Sequence, residues 1–122
     1  MLVLDDNWPA SLADRRDILT RCVEAFARAL PVERVILFGS HARGQANAES
    51  DVDLCVVTGG SETQHRAAIV LRKAIGGLRG KPSLTIIPIS TERLAEKRLL
   101  RDPFYDTVLR EGVCVARQGD SA

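Results

Sequence analysis

The fold of this chain is decided by one stretch, Phe38-Gly39-Ser40-His41-Ala42-Arg43-Gly44-Gln45-Ala46-Asn47-Ala48-Glu49-Ser50-Asp51-Val52-Asp53-Leu54. It joins two short strand-like runs: 35–38 is continuously apolar, and 52–57 is apolar apart from Asp53. Runs of this length that end at glycine and polar residues are typical of buried β-strands. The ten residues between Ser40 and Asp51 are enough for a loop with one helical turn. The stretch therefore predicts two neighbouring strands joined by a polar loop.

Hydrophobic periodicity and punctuation by glycine and proline predict the remaining elements. Helices are expected at 11–30 with Ser11 as its cap, at 62–78, at 91–100, and at 103–110 after the cap Asp102. Further strands are expected at 84–89 and 113–116. Pro88 cannot donate a ladder hydrogen bond, so it predicts an edge strand or a bulge. The order predicts one α/β (α+β) domain over residues 1–122, with a mixed sheet and one hydrophobic core.

Composition narrows the class of protein. Lys plus Arg total 17 and Asp plus Glu total 16, so there is no global basic field, which argues against direct nucleic-acid binding. The three cysteines are widely spaced within apolar runs, as reduced thiols of a cytoplasmic protein are. No apolar run approaches the roughly 20 residues that cross a bilayer. A soluble, cytoplasmic protein without a membrane anchor is expected.

Asp51 and Asp53 begin the second strand and are candidate metal ligands. Side chains two residues apart on a strand point to the same side, so these carboxylates would repel each other without a compensating cation. Hard oxygen ligands that leave positions open for phosphate oxygens favour Mg²⁺. The competing interpretation is structural: Asp51 caps a turn after Ser50 and Asp53 points to solvent.

Gly39, Ser40 and Arg43 are candidate phosphate ligands. A glycine at a strand end lets the backbone approach a phosphate, and the following amides and hydroxyl can donate to it. If Ser40 opens a helical turn, Arg43 lies on the same face and reaches the same phosphates. An ordinary strand-to-loop turn with a solvated arginine is the alternative. The segment lacks the Lys-Ser/Thr ending of a Walker A loop.

Gly39-Ser40, Ala42-Arg43-Gly44 and 50–54 together resemble the signature of the minimal nucleotidyltransferases, in the DNA polymerase β-like superfamily. The resemblance extends over nearly the whole chain and implies the nucleotidyltransferase fold. It implies that Asp51 and Asp53 hold Mg²⁺ and catalyse transfer of a nucleoside monophosphate from ATP, or another nucleoside triphosphate, to a hydroxyl. Such proteins commonly have a third carboxylate on a later strand. The expected position here is near Thr85, in a strand without any acidic residue.

The same resemblance implies a partner. The chain resembles the antitoxin half of toxin–antitoxin systems in which a minimal nucleotidyltransferase is paired with a toxin that is a helical HEPN ribonuclease. It implies AMP transfer from ATP to a hydroxyl of that partner, within a homo- or hetero-oligomer. The alternative is an antitoxin that binds nucleotide or partner and acts by complex formation alone, which the neutral Thr85 favours. A plain α/β domain with a structural Asp-x-Asp is a third hypothesis.

Other polar and aromatic residues receive structural interpretations. His41, within the loop, is expected to face solvent, and Glu49 is expected to do the same. Trp8, Phe104 and Tyr105 are expected in the core or at an interface rather than as base-stacking platforms, and no residue is assigned to a base pocket.

Overall fold

A computed structural model describes residues 2–119, and its centre is a five-stranded mixed sheet in the order β1-β5-β2-β3-β4. The strands are β1 (Leu2–Leu4), β2 (Val32–Phe38), β3 (Val52–Thr58), β4 (Leu84–Ser90) and β5 (Val113–Gln118). The α-helices are α1 (Arg16–Ala29), α2 (Gln64–Ala74), α3 (Thr91–Leu99) and α4 (Pro103–Glu111). This architecture confirms the predicted α/β class and its mixed sheet.

The two strands of the deciding stretch lie side by side at the centre of the sheet. β2 and β3 pair antiparallel, which places Phe38 opposite Asp53. β3 and β4 pair parallel, which places Asp53 opposite Thr85. The end of β2 therefore lies beside the beginning of β3, at the same end of the strands as the start of β4.

Helices cover both faces of the sheet and divide the core in two. Residues of β3 alternate between the faces, as the two-residue period of a strand requires. Leu54 and Val56 pack with α1 and α2, whereas Cys55 and Val57 pack with α3 and α4. The prediction of a single core was wrong, because the central strands are apolar on both sides. Asp53 shares the parity of Cys55 and so belongs to the α3–α4 side.

The N-terminal region differs most from its prediction. Residues Ala10–Arg15 form a 3-10 helix, and α1 begins only at Arg16. Ser11 does not cap a helix; its hydroxyl is hydrogen-bonded to the His41 ring. β1 was not predicted, because a three-residue strand is too short to show a period.

Caps explain where the later helices begin. Thr63 accepts a hydrogen bond from the Arg66 amide, so α2 starts two residues later than expected. Asp102 accepts hydrogen bonds from the amides of Phe104 and Tyr105, which confirms it as the cap of α4.

The free edge of β4 is covered by side chains. β4 is an edge strand, as Pro88 predicted. Gln64 donates from Nε2 to the Pro88 carbonyl at 2.7 Å, and the Arg72 guanidinium donates to the Leu84 carbonyl. These two bonds engage backbone acceptors near both ends of an otherwise open edge.

Two further expectations concern membranes and thiols. Within residues 2–119, no helix has the length and apolar character needed to cross a bilayer. All three cysteines are free; Cys22 and Cys55 are buried and Cys114 is half-buried. Burial raises the pKa of the Cys55 thiol to about 11, against the smaller opposing effect of the Arg34 charge. Buried, protonated thiols of this kind act as small apolar residues of the core.

We expect Leu54→Ala to lower the free energy of unfolding by about 2–5 kcal/mol, because the Leu54 side chain is fully buried beside the site. The matched control is Leu99→Ala, since Leu99 is 85% exposed and should change stability by less than about 0.5 kcal/mol. Urea unfolding followed by circular dichroism measures both. Equal losses in the two variants would contradict the assigned core.

Candidate active site

The turn after β2 is held by its own backbone. Gly39 has φ +77°, in the left-handed region where glycine carries no steric penalty. The Arg43 amide donates to the Gly39 carbonyl at 3.1 Å, and the Gln45 amide donates to the Ser40 carbonyl at 2.9 Å. These bonds make the helical turn that the sequence predicted. Ser40 and Arg43 consequently project from one compact turn.

The Asp53 carboxylate lies directly against the Gly39 backbone. A β-carbon added to Gly39 would stand 2.1 Å from Asp53 Oδ2 and 3.1 Å from Asp53 Cγ, far inside van der Waals contact. Glycine is therefore required here both for the backbone conformation and for space. Phe38 pairs with Asp53 across the two strands, so Gly39, which follows Phe38, lies beside the Asp53 carboxylate.

Electrostatics around Asp53 disfavour its charged form. Burial is the main cause of its raised pKa, and the nearby Asp51 charge raises it further. A hydrogen bond with the Thr85 side chain and the charges of His41 and Arg43 act in the opposite direction. A positive ion at the carboxylates would relieve both unfavourable effects.

These residues line one cleft. Its volume is about 410 Å³, and one wall is formed by the turn and strand residues Gly39, Ser40, Arg43 and Asp53. Asp51 is exposed and outside this lining, although its charge acts on Asp53. Four of the five predicted site residues thus border the same cavity.

The opposite wall is formed by α4, which sequence reasoning did not connect with the site. Phe104, Thr107, Val108 and Glu111 line the cleft. Their spacing of three and four residues places them on one face of the helix. Glu111 Oε1 lies 3.9 Å from an Arg43 guanidinium nitrogen, a long contact between half-exposed side chains. Nothing local in the sequence links α4 to a motif some 50 residues earlier.

His41 is buried, so the prediction that it faces solvent was wrong. Its side chain is 4% exposed. The Nδ1 atom is 2.9 Å from the Ser11 hydroxyl, and Nε2 is 3.4 Å from the Ser50 carbonyl, to which it donates. His41 thereby joins the beginning and end of the motif loop to the 3-10 helix. Glu49 is exposed, as expected.

The available donors limit what cation the site could hold. Among residues 2–119, no three His, Cys, Asp or Glu side chains are grouped as metal ligands. The pair Asp51 and Asp53, with the Thr85 hydroxyl beside Asp53, is a hard-oxygen set with two charges. Mg²⁺ is commonly bound by one or two carboxylates and completed by substrate phosphates and water, so this set suits one such ion.

The family of the chain follows from a sequence comparison. Residues 19–110 match the model of the Nucleotidyltransferase domain family, a span that contains the turn, both aspartates and most of the α4 wall. The chain therefore belongs to the nucleotidyltransferase domain family. No curated protein matches its sequence.

Solved structures resemble this chain to different degrees. A proposed nucleotidyltransferase from Sulfolobus solfataricus is 21% identical, with a TM-score of 0.61 over 85% of this chain and 81% of the other. A toxin–antitoxin structure with AMP-PNP is 17% identical, with a TM-score of 0.51 over 84% of this chain and 73% of the other. A proposed minimal nucleotidyltransferase is 28% identical, with a TM-score of 0.40 over 83% and 88%. The first two similarities support the nucleotidyltransferase fold.

We expect His41→Ala to lower the free energy of unfolding by about 1–3 kcal/mol, because a buried ring with two hydrogen-bonding partners is lost. His65→Ala is the control, since His65 is exposed and should change stability by less than about 0.5 kcal/mol. Thermal and urea unfolding compare the two. A His41→Ala protein as stable as its control would disprove the joining role of the ring.

Proposed function

We propose that this protein is a Mg²⁺-dependent nucleotidyltransferase that transfers AMP from ATP to a hydroxyl of a partner protein. One observation carries the proposal: the Gly39 turn and the Asp53 carboxylate meet in a single cleft with Ser40 and Arg43. A triphosphate needs hydrogen-bond donors for its anionic oxygens and a bound cation at the same place. This cleft combines such donors with the Asp53 carboxylate, which can bind a cation.

Asp51 and Asp53 are the proposed Mg²⁺ ligands. The raised pKa of Asp53 supports this role, because its causes are burial and the neighbouring Asp51 charge. The bound ion would neutralise charge on the triphosphate and favour departure of pyrophosphate. The two carboxylates suit one ion completed by phosphate oxygens.

The turn supplies the proposed phosphate donors. The Ser40 hydroxyl and Arg43 guanidinium border the cleft, where they can bind anionic oxygens. Arg43 is exposed, and its 3.9 Å contact with Glu111 is too long to be a strong ion pair. Its Nε also donates a hydrogen bond to Gln45 Oε1 at 3.2 Å, and both contacts are exposed, so a phosphate could replace them.

Thr85 is at the position where the resemblance to minimal nucleotidyltransferases predicts a third acid. It lies opposite Asp53 in the parallel pairing of β3 with β4, which is the register a third ligand would need. A neutral hydroxyl cannot take a proton from the acceptor, a contribution on the order of 10²–10⁴ in rate. We therefore propose slow transfer with nucleotide binding retained.

The partner is proposed by analogy. The toxin–antitoxin structure that shares the fold contains AMP-PNP, which supports a nucleotide site in an antitoxin-like protein. We propose that this chain acts in the cytoplasm as the antitoxin of a helical HEPN-type toxin, in a hetero-oligomer with it. The acceptor would be a hydroxyl of the toxin, brought to the open side of the cleft.

A second candidate function is favoured by the same Thr85. Without a third acid, the protein could bind nucleotide and toxin and neutralise the toxin by complex formation alone. The two functions differ in whether the toxin becomes covalently modified.

Gly39→Ala should weaken binding of Mg–AMP-PNP at least about tenfold, since the new β-carbon would displace the Asp53 carboxylate. Gly44→Ala is a close control. Gly44 also has positive φ (+72°), so both variants lose about 1–2 kcal/mol of backbone stability, but nothing lies within 4 Å of an added β-carbon there. Calorimetric titration measures both affinities. Equal weakening in the two variants would contradict the proposed carboxylate position.

Incubation with Mg²⁺, labelled ATP and the toxin-like product of the adjacent gene should label that product. Asp53→Asn should abolish the label, because the cation would lose a charged ligand. Glu49→Gln, which removes an exposed acid of the same loop, should keep it. Thr85→Asp should accelerate labelling by on the order of 10²–10⁴, because it restores the missing base.

Each result separates the candidate functions. Neutralised toxin without label, in the wild type and in Thr85→Asp, would refute transfer and leave the binding module. Label that persists in Asp53→Asn would refute the assigned metal ligand.

A further inference from the structure

Phe104 is exposed although it is aromatic and belongs to the cleft. Its side chain is 42% exposed, whereas the adjacent Tyr105 is 7% exposed. Both residues were expected in the core or at an interface, and neither as a base-stacking platform. Tyr105 does pack into the core on the α3–α4 side of the sheet. Phe104 instead presents much of its ring to the cleft that also contains Gly39 and Asp53.

The ring is held in a defined orientation. The Phe38 ring meets it edge-to-face, with centroids 5.6 Å apart and an interplanar angle of 89°. The Tyr105 ring meets it at 4.9 Å and 84°. Phe38 directly precedes Gly39, so the exposed ring is packed against the strand that leads into the phosphate-binding turn. A fixed aromatic surface beside that turn loses little conformational entropy when a ligand covers it.

We propose that Phe104 is the stacking surface for the nucleobase of the bound nucleoside triphosphate. The inference rests on the proposed function and extends it to a base subsite. Every nucleobase has a π-face, so stacking on phenylalanine strengthens binding without selecting one base strongly. Phe104 is then a binding residue whose contribution adds to that of the phosphate donors.

The layout of the cleft matches an elongated ligand with one flat end and one anionic end. Phe104 and Glu111 are seven residues apart on α4, about 10 Å along the helix. Arg43 lies near the Glu111 end of this helix face, and Phe38 packs against Phe104 at the other end. A triphosphate near Ser40 and Arg43 would therefore leave its base on the side of Phe104.

Size also favours a nucleotide over a side chain of a partner protein. A volume of about 410 Å³ is within the range of pockets that enclose one small molecule. The anion donors and the aromatic ring border this one cavity, so a single ligand can contact both. An acceptor side chain stacked on Phe104 would leave the base only Phe38 and Val108 among the apolar side chains that line the cleft.

The test compares Mg–AMP-PNP with Mg–tripolyphosphate by calorimetric titration, because only the first ligand carries a base and ribose. Phe104→Ala should weaken Mg–AMP-PNP at least about fivefold, the low end of a lost stacking contact. It should leave Mg–tripolyphosphate within about twofold. Phe104→Tyr should bind both ligands like the wild type, because it keeps the ring. Leu99→Ala, which removes an 85% exposed apolar side chain from the end of α3, should change neither affinity.

Several outcomes would overturn the base subsite. Unchanged AMP-PNP affinity in Phe104→Ala refutes it directly. Equal weakening of both ligands assigns the ring a structural role and refutes it as well. If Phe104→Ala lowers labelling of the partner but keeps the AMP-PNP affinity, the ring contacts the acceptor and not the base. A wild type that binds neither ligand would instead remove the proposed function, and the base subsite with it.

Discussion

The site depends on the contact between the Asp53 carboxylate and the Gly39 backbone. This contact exists because β2 and β3 are paired so that Phe38 faces Asp53, and because position 39 has no side chain. Burial there raises the pKa of Asp53, with the Asp51 charge adding to the effect. The stable pairing of the two central strands offsets the energetic cost of this half-buried carboxylate. Core packing on both faces of the sheet maintains the pairing.

Much of the fold could be predicted because its central elements carry strong local signals. The apolar runs of β2, β3 and β4 were each predicted in their correct places, and Asp102 with Pro103 predicted the start of α4. The errors lie where tertiary contacts override local preference. Ser11 has the chemistry of a helix cap, yet its hydroxyl bonds to His41, thirty positions later in the chain. No local pattern reports such a partner.

The candidate site was predictable on one wall only. Gly39, Ser40, Arg43 and Asp53 form a compact motif, and strand pairing makes them converge. The α4 wall comes from packing of a distant helix, so its residues carry no signature of their own. Phe104 was assigned to the core or an interface because aromatic side chains are generally buried, whereas here its neighbour Tyr105 is the buried one.

The side chains that cover β4 influence how this protein can associate. An uncovered strand edge can recruit a strand from another molecule and extend the sheet between chains. Here Gln64 and Arg72 engage carbonyl groups of β4, Pro88 lacks an amide hydrogen, and β1 at the opposite edge is three residues long. Strand exchange and fibre-like growth are disfavoured at both margins. The helices, the loops and the mouth of the cleft are the surfaces that remain open to another protein.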